Sequence, residues 1–198
     1  MGRPKEHGED TRRALLDAAE RLLASEGPEA VTVRRLADEV GTSTRAIYSL
    51  FGGKEGLYSA LFRQASDTFR TLAEGVPRLP DPLDELIPLG LSYRKSALAE
   101  PNLYGLLFGR AAPDFVPSEE DVRYARRSQE RVHDAVLRCI EAKRITARNP
   151  ETLLNELWGV VHGLASLELM GCFGPPEAAE VVWGEALPTF VRGLTQPA

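Results

Sequence analysis

Cysteine is scarce in this chain: Cys139 and Cys172 are the only two in 198 residues. Two cysteines make no disulfide framework, so a reducing, cytoplasmic setting is expected. Histidine is nearly as sparse, and His7, His133 and His162 share no metal-ligand spacing with either cysteine. No Gly-rich phosphate loop, nucleophile motif or paired-carboxylate arrangement stands out. No catalytic residue, metal or cofactor is therefore expected, and the chain does not read as an enzyme. A long apolar run is missing too. The most apolar stretch, Leu157 to Phe173, carries His162, Ser166 and Glu168, which marks a buried helix rather than a membrane span. Met1 to Arg13 is polar and charged, so no secretory signal is expected. Positive charge is not in excess: the formal net charge is −5, and residues 1–58 hold nine Lys/Arg against ten Asp/Glu. Meeting a polyanion would require the positive residues to be sorted onto one face.

What the chain does have is ordinary globular composition, 43% hydrophobic and 27% charged. Its length suits one large domain or two small ones. Apolar residues recur with helical period nearly throughout, and no run alternates as a strand does, so the expected fold is all-α. Helix one is expected over about 10–25, with Leu15, Ala18, Ala19, Leu22 and Leu23 on one stripe and Gly27-Pro28 as its stop. Short helices follow at about 33–40 and 44–51, then a longer one over 54–73. The segment Gly75 to Pro82 holds three prolines and one glycine. It reads as the boundary between domains at 1–74 and 75–198. Beyond it, helices are expected near 83–99, 101–109, 118–145, 150–173 and 176–194. Ser118 opens a Ser-x-x-Asp start, Asn149-Pro150 supplies a cap and a first-turn proline, and Pro176 begins the last helix. Pro88 and Pro188 fall inside two of these helices, where a kink or a later start is expected.

The sharpest motif is Val33 to Phe51, VRRLADEVGTSTRAIYSLF. Leu36, Ala37 and Val40 give one helix an inward face, and Ile47 and Leu50 do so for the next. Gly41 falls where the turn needs positive φ. Thr42, Ser43 and Thr44 offer capping hydroxyls. A small residue, a glycine four later and an apolar residue six after that match helix-turn-helix geometry. With Ile47 and Leu50 inward, Thr44, Arg45, Tyr48 and Ser49 face outward. Arg45 has the fork that matches guanine, and Thr44 can touch a thymine methyl or a base edge. Tyr48 suits a phosphate or sugar. Thr32 caps a helix whose exposed amides suit phosphate, Lys54 adds a point charge, and Arg34 and Ser43 are counted with them. A structural hairpin with a solvated polar face is the competing reading. Arg3 and Lys5 have two readings as well: a basic arm for the minor groove, or a plain tail.

Thr32 to Tyr58, TVRRLADEVGTSTRAIYSLFGGKEGLY, resembles the DNA-binding domain of the tetracycline-repressor (TetR) family. The marks are Thr32, Leu36-Ala37, Gly41, Tyr48, Phe51 and Lys54-Glu55 before Leu57; with helix one, the likeness covers about residues 10–60. Two departures stand out. Leu50 sits where the family often has a phosphate-contacting His or Tyr, and Gly53 replaces a common Ser cap. The resemblance implies an N-terminal three-helix DNA-binding domain and a C-terminal helical bundle that binds a small molecule and dimerises through its last two helices. It implies a repressor released from its operator by that ligand.

The C-terminal residues bear on part of this. Helix 150–173 is apolar nearly all round, so it must be covered on several sides. Gly159 and Gly163, four apart, allow another backbone close, and Trp183, Leu187, Phe190, Val191 and Leu194 form a stripe on the last helix. A homodimer seam is expected from Gly159, Gly163, Leu167, Trp183, Leu187, Phe190 and Val191. A homodimer with one recognition helix per chain implies an inverted-repeat operator in double-stranded DNA. Trp158, His162 and Gly163 spell W-x-x-x-H-G, similar to the signature of a C-terminal subclass of the family. His162 faces a pocket, the seam or the core on this reading, all three standing open. Tyr93, Tyr104 and Phe108, with Trp158 and His162, are the candidates for a small-molecule effector site, and plain core is the alternative for the aromatics. Arg123, Arg126, Arg127 and Arg131 alternate with acids and read as a solvated face. Two other functions compete: a DNA-binding regulator controlled by a protein partner or by no ligand, and a helical ligand-binding enzyme or carrier.

Overall fold

The computed structural model describes residues 3–108, 112, 114–145 and 148–195, with side chains from residue 8 onward. All of its regular elements are helical: α1 (Arg3–Glu26), α2 (Val33–Val40), α3 (Thr44–Phe51), α4 (Lys54–Glu74), α5 (Leu83–Ala99), α6 (Pro101–Leu107), α7 (Glu119–Arg126), α8 (Glu130–Glu141), α9 (Pro150–Leu169) and α10 (Pro176–Gly193). Short 3-10 turns lie at Pro28–Ala30 and Arg127–Gln129. No strand occurs among the described residues.

Local chemistry sets most of the helix ends. Thr32 accepts from the Arg35 amide and starts α2, and Ser43 accepts from the Ala46 amide and starts α3. Gly41 closes α2 at φ 72°, the left-handed conformation that glycine adopts without a Cβ penalty. Asn149 caps α9 with Pro150 in its first turn. Ser118 and Asp121 form a reciprocal box: the Asp121 amide donates to Ser118 Oγ at 3.1 Å, and the Ser118 amide donates to Asp121 Oδ2 at 3.2 Å. Several helices differ from expectation. α1 begins at Arg3 rather than near Asp10, α9 ends at Leu169, and the stretch 118–145 is two helices separated by the 3-10 turn. Pro88 and Pro188 lie within α5 and α10.

The backbone packs as two compact units. The first is Met1–Ser66 with Asn102–Ala125, and the second is Asp67–Pro101 with Arg126–Ala198. Packing therefore divides the chain otherwise than one cut at 75–82 does, because α6 and α7 return to the N-terminal helices. Leu103, Leu106 and Ala112 share one core with Leu15, Leu22, Leu36, Ile47, Leu57 and Leu61. In the second unit α5 packs on α8, α9 and α10. Leu86, Leu89, Ala135, Val136, Cys139, Leu153, Leu157 and Val191 join its core. Burial drives the Cys139 thiol up to about 11, which makes it inert as a nucleophile at neutral pH.

Candidate nucleic-acid interface

The first unit sets α3 as an exposed rod on a buried seat. Ile47 is fully buried and Leu50 is partly buried against the same core. Period 3.6 then leaves the opposite side in water. Thr44, Arg45 and Ser49 are exposed, and Tyr48 is 58% exposed. Thr32, Arg34 and Ser43 are exposed at or beside the starts of α2 and α3. Thr32 and Ser43 already use their oxygens as caps, so their hydroxyl hydrogens remain to donate. Lys54 is exposed, with Nζ donating to the Pro28 carbonyl at 3.4 Å and lying 5.6 Å from the centre of the Tyr58 ring. The side chains of Arg3 and Lys5 lie outside the described residues.

Charge is partly sorted as the near-neutral composition demands. Arg35 forms a two-pronged pair with Glu26, at 2.5 and 2.7 Å, and Arg21 pairs with Glu39 at 3.3 Å. Both pairs tie α1 to α2, so these cations serve the scaffold. Arg34 and Arg45 stand exposed on the helix-turn-helix. The arrangement can supply guanidinium forks, hydroxyls and one phenol to an anionic backbone and base edges.

Other contacts in this unit leave no local signal in the sequence. The Arg12 guanidinium lies 5.3 Å from the centre of the Phe51 ring at the end of α3. Asp121 reaches α4, accepting from Ser59 Oγ at 2.6 Å and Arg63 Nε at 2.7 Å, and also from Ser118 Oγ at 2.7 Å. Burial pushes this carboxyl up, but the hydrogen bonds from Ser59, Ser118 and Arg63 outweigh that and hold it at about 2.

The C-terminal candidates separate into groups. In the second unit Tyr93 Oη lies 3.1 Å from His162 Nδ1, Trp158 is 5.7 Å from His162 between ring centres, and Phe69 is 4.8 Å from Tyr93. Arg94 binds Glu168 at 2.6 Å, and Trp183 Nε1 donates to Glu168 at 2.7 Å. Burial raises the Glu168 carboxyl, but Arg94 and Trp183 outweigh it and keep the group below the usual carboxylate range. Tyr104 and Phe108 fall in the first unit instead, where their rings pair at 4.8 Å. The expected five-residue cluster is thus not gathered within either unit.

The expected dimer stripe on α10 needs correction. Trp183 and Leu187 are each 1% exposed and Val191 is also buried within its own chain. The reason is a close helix crossing: a Cβ on Gly90 of α5 would come within 2.8 Å of Leu187 Cδ1. Phe190 is partly buried against the same core. By contrast Gly159 and Leu167 are exposed, and a Cβ on Gly159 or Gly163 would meet nothing within 4 Å. Met170, three residues past Leu167, and Val181 on α10 are exposed as well.

No group of three or more His, Cys, Asp or Glu among the described residues could hold a metal ion, and no described helix is long and apolar enough to cross a membrane. Comparisons with known proteins agree with the architecture. A family model described as bacterial regulatory proteins, tetR family, matches residues 15–61, and a tetracyclin repressor-like C-terminal domain model matches residues 86–190. The regulator AcrR of Shigella flexneri is 28% identical over 153 residues, covering 72% of this chain and 70% of that protein. The repressor AcnR of Corynebacterium glutamicum is 44% identical over 55 residues, 28% of this chain and 29% of its own length. A solved protein of unknown function from Rhodococcus sp. RHA1 superposes with a TM-score of 0.76 at 27% identity, covering 94% of this chain and 96% of that one. The regulator PfmR of Thermus thermophilus shares the fold at a TM-score of 0.69 and 18% identity, over 92% and 96% of the two chains.

Proposed function

We infer the function from one premise: the chain belongs to the tetR family of bacterial regulatory proteins, whose C-terminal model alone spans residues 86–190 of 198. It is a DNA-binding transcriptional regulator and not an enzyme. Its specific action, we propose, is repression: a cytoplasmic homodimer holds an inverted-repeat operator and lets go when a small molecule binds the C-terminal helices. The observation that carries the DNA-binding reading is the exposed face of α3, with Thr44, Arg45, Tyr48 and Ser49 presented over the buried Ile47. Arg34, Lys54 and the amides behind Thr32 and Ser43 supply the flanking phosphate contacts.

The division proposed for function is 1–74 and 75–198, and α4 itself passes from the first packed unit to the second after Ser66. The effector site is proposed around Tyr93, Trp158 and His162, where a phenol, an indole and an imidazole converge. An apolar or aromatic molecule with one polar group suits that lining. Such a ligand acts only by favouring a conformation other than the DNA-competent one. Typical coupling of about 1–3 kcal/mol corresponds to roughly 5–150-fold in affinity.

Fluorescence anisotropy with DNA from the chain's own upstream region tests the reading. The expected result is one dimer per inverted repeat, with affinity falling steeply as salt rises. Binding no tighter than to random DNA would overturn it. A compound that binds the second unit should weaken DNA binding, and operator must weaken compound binding by the same factor. Equal compound affinities with and without operator would instead favour control by a protein partner.

A further inference from the structure

At the joint between α3 and α4 the chain reads Phe51-Gly52-Gly53-Lys54-Glu55-Gly56. The Gly52 amide donates to the Tyr48 carbonyl at 2.9 Å and closes α3 with φ 77°. Gly53 follows at φ 134° and is buried. Its Cβ position lies 3.4 Å from Tyr48 Cε1, whereas at Gly27, Gly41, Gly52, Gly171 and Gly174, which also have positive φ, a Cβ would meet nothing within 4 Å. The Tyr48 ring is thus seated on the backbone of Gly53 along one edge. Gly56 allows a closer approach. The place of its missing Cβ overlaps the Phe51 carbonyl oxygen and comes within 2.9 Å of the carbonyl carbon. No side chain can swing away from that contact, because both partners are backbone. On its other side Phe51 carries the Arg12 guanidinium over its ring.

We propose that Gly56 is a positioning residue for the recognition helix: it sets where the C-terminal turn of α3 ends, and through that turn where Tyr48 meets DNA. The proposal rests on the reading of Tyr48 as a DNA contact. Any larger residue at position 56 must push the Phe51 carbonyl away. The first turn of α3, held by the Ser43 cap, lies furthest from that displacement. Tyr48 and Ser49 should therefore move more than Thr44 and Arg45. Seating the tyrosine ring beforehand also lowers the ordering cost of binding, since fewer rotamers remain to be lost.

A double-mutant cycle on operator affinity reads this directly. Tyr48→Ala alone should weaken binding about tenfold, the scale of one hydrogen bond to a charged group. Gly56→Ala should cost a similar factor, and adding Tyr48→Ala to it should cost little more. Arg45→Ala should keep its full effect in the Gly56→Ala background. Additive losses for Gly56→Ala and Tyr48→Ala would overturn the positioning role. No effect of Tyr48→Ala in the wild-type chain would remove the DNA-contact reading itself, and the proposal with it. If circular dichroism shows Gly56→Ala unfolded, Arg12→Ala serves in its place, releasing Phe51 from the ring side. A diminished Tyr48 contribution there supports the joint, and an intact one overturns it.

Discussion

Arg45 and Tyr48 stand three residues apart on the exposed side of α3, yet their removal should register differently. Arg45 has the geometry of a base reader, so Arg45→Ala should cost about 1–3 kcal/mol and relax preference at one operator position. Tyr48→Ala should weaken all sequences about equally. A panel of single-base operator variants checks this, and an unchanged ranking for Arg45→Ala would pass the reading role to Thr44. These positions were legible in the sequence because one rule, the period set by Ile47 and Leu50, decides which side faces water. Asp121 was legible only in part. Its place in a Ser118 box is local, but its bonds to Ser59 and Arg63 span about sixty residues and leave no pattern along the chain. They give it a pH signature. A carboxyl whose folded value drops from 3.8 to about 2 stabilises the fold above its unfolded value and loses that contribution as pH falls through the window between them. The contribution at neutral pH is roughly 2 kcal/mol. Asp121→Asn should therefore melt lower at pH 7, with the gap to wild type closing as pH falls from about 4 toward 2. A gap of constant size across that window would show that shape, not charge, matters at this position.

The helices were read most accurately where capping chemistry is local. Thr32, Ser43 and Asn149 mark the starts of α2, α3 and α9, and each makes the cap bond its type favours. The expected single helix over 118–145 failed for a tertiary reason. Its periodicity is continuous, but α7 packs with the first unit and α8 with the second, and the break falls between them at Arg127–Gln129. The proline-rich segment at 75–82, expected as a domain boundary, is irregular but is not where the packed units part, and its anchor leaves no pattern along the chain. Glu85 is fully buried and accepts from Arg131 at 2.5 Å, Arg138 at 2.7 Å and the Leu79 amide at 2.7 Å. Arg138 also donates to the Leu79 carbonyl at 3.0 Å. One carboxylate thus holds α5, α8 and the segment before α5 together. Burial raises the Glu85 carboxyl, and the two arginines and the amide more than reverse that. Glu85→Ala would leave the nearly buried Arg131 without this partner. Removing one member of a buried pair typically costs about 3–5 kcal/mol. Urea unfolding should show that loss, and a change below about 1 kcal/mol would mean the segment and α8 hold without the carboxylate.

At the scale of the whole molecule, what a single chain hides and what it leaves exposed bear on how two copies meet. The sequence stripe Trp183, Leu187 and Val191 was correctly apolar but assigned to the wrong neighbour, because a stripe says that a face is buried and not by what. α5 covers it within the same chain, through the gap that Gly90 leaves over Leu187. The dimer proposal then rests on the other side of α9, where Gly159, Gly163 and Leu167 share a face. Leu167 is 43% exposed, and among the described residues nothing comes within 4 Å of where a Cβ on either glycine would stand. That openness makes Gly163→Leu a selective probe. Within one chain the new Cβ meets none of the described residues within 4 Å, and replacing a mid-helix glycine gains about 1 kcal/mol of helix propensity. Against a second copy, the same side chain would overpack a close backbone approach, at a typical cost of about 1–3 kcal/mol. Helical content should therefore persist while sedimentation shifts toward monomer. Operator affinity should fall with it, because one recognition helix alone reads only a half-site. A variant that stays dimeric with wild-type affinity would move the seam away from Gly163, to a face of α9 or α10 that this glycine does not touch.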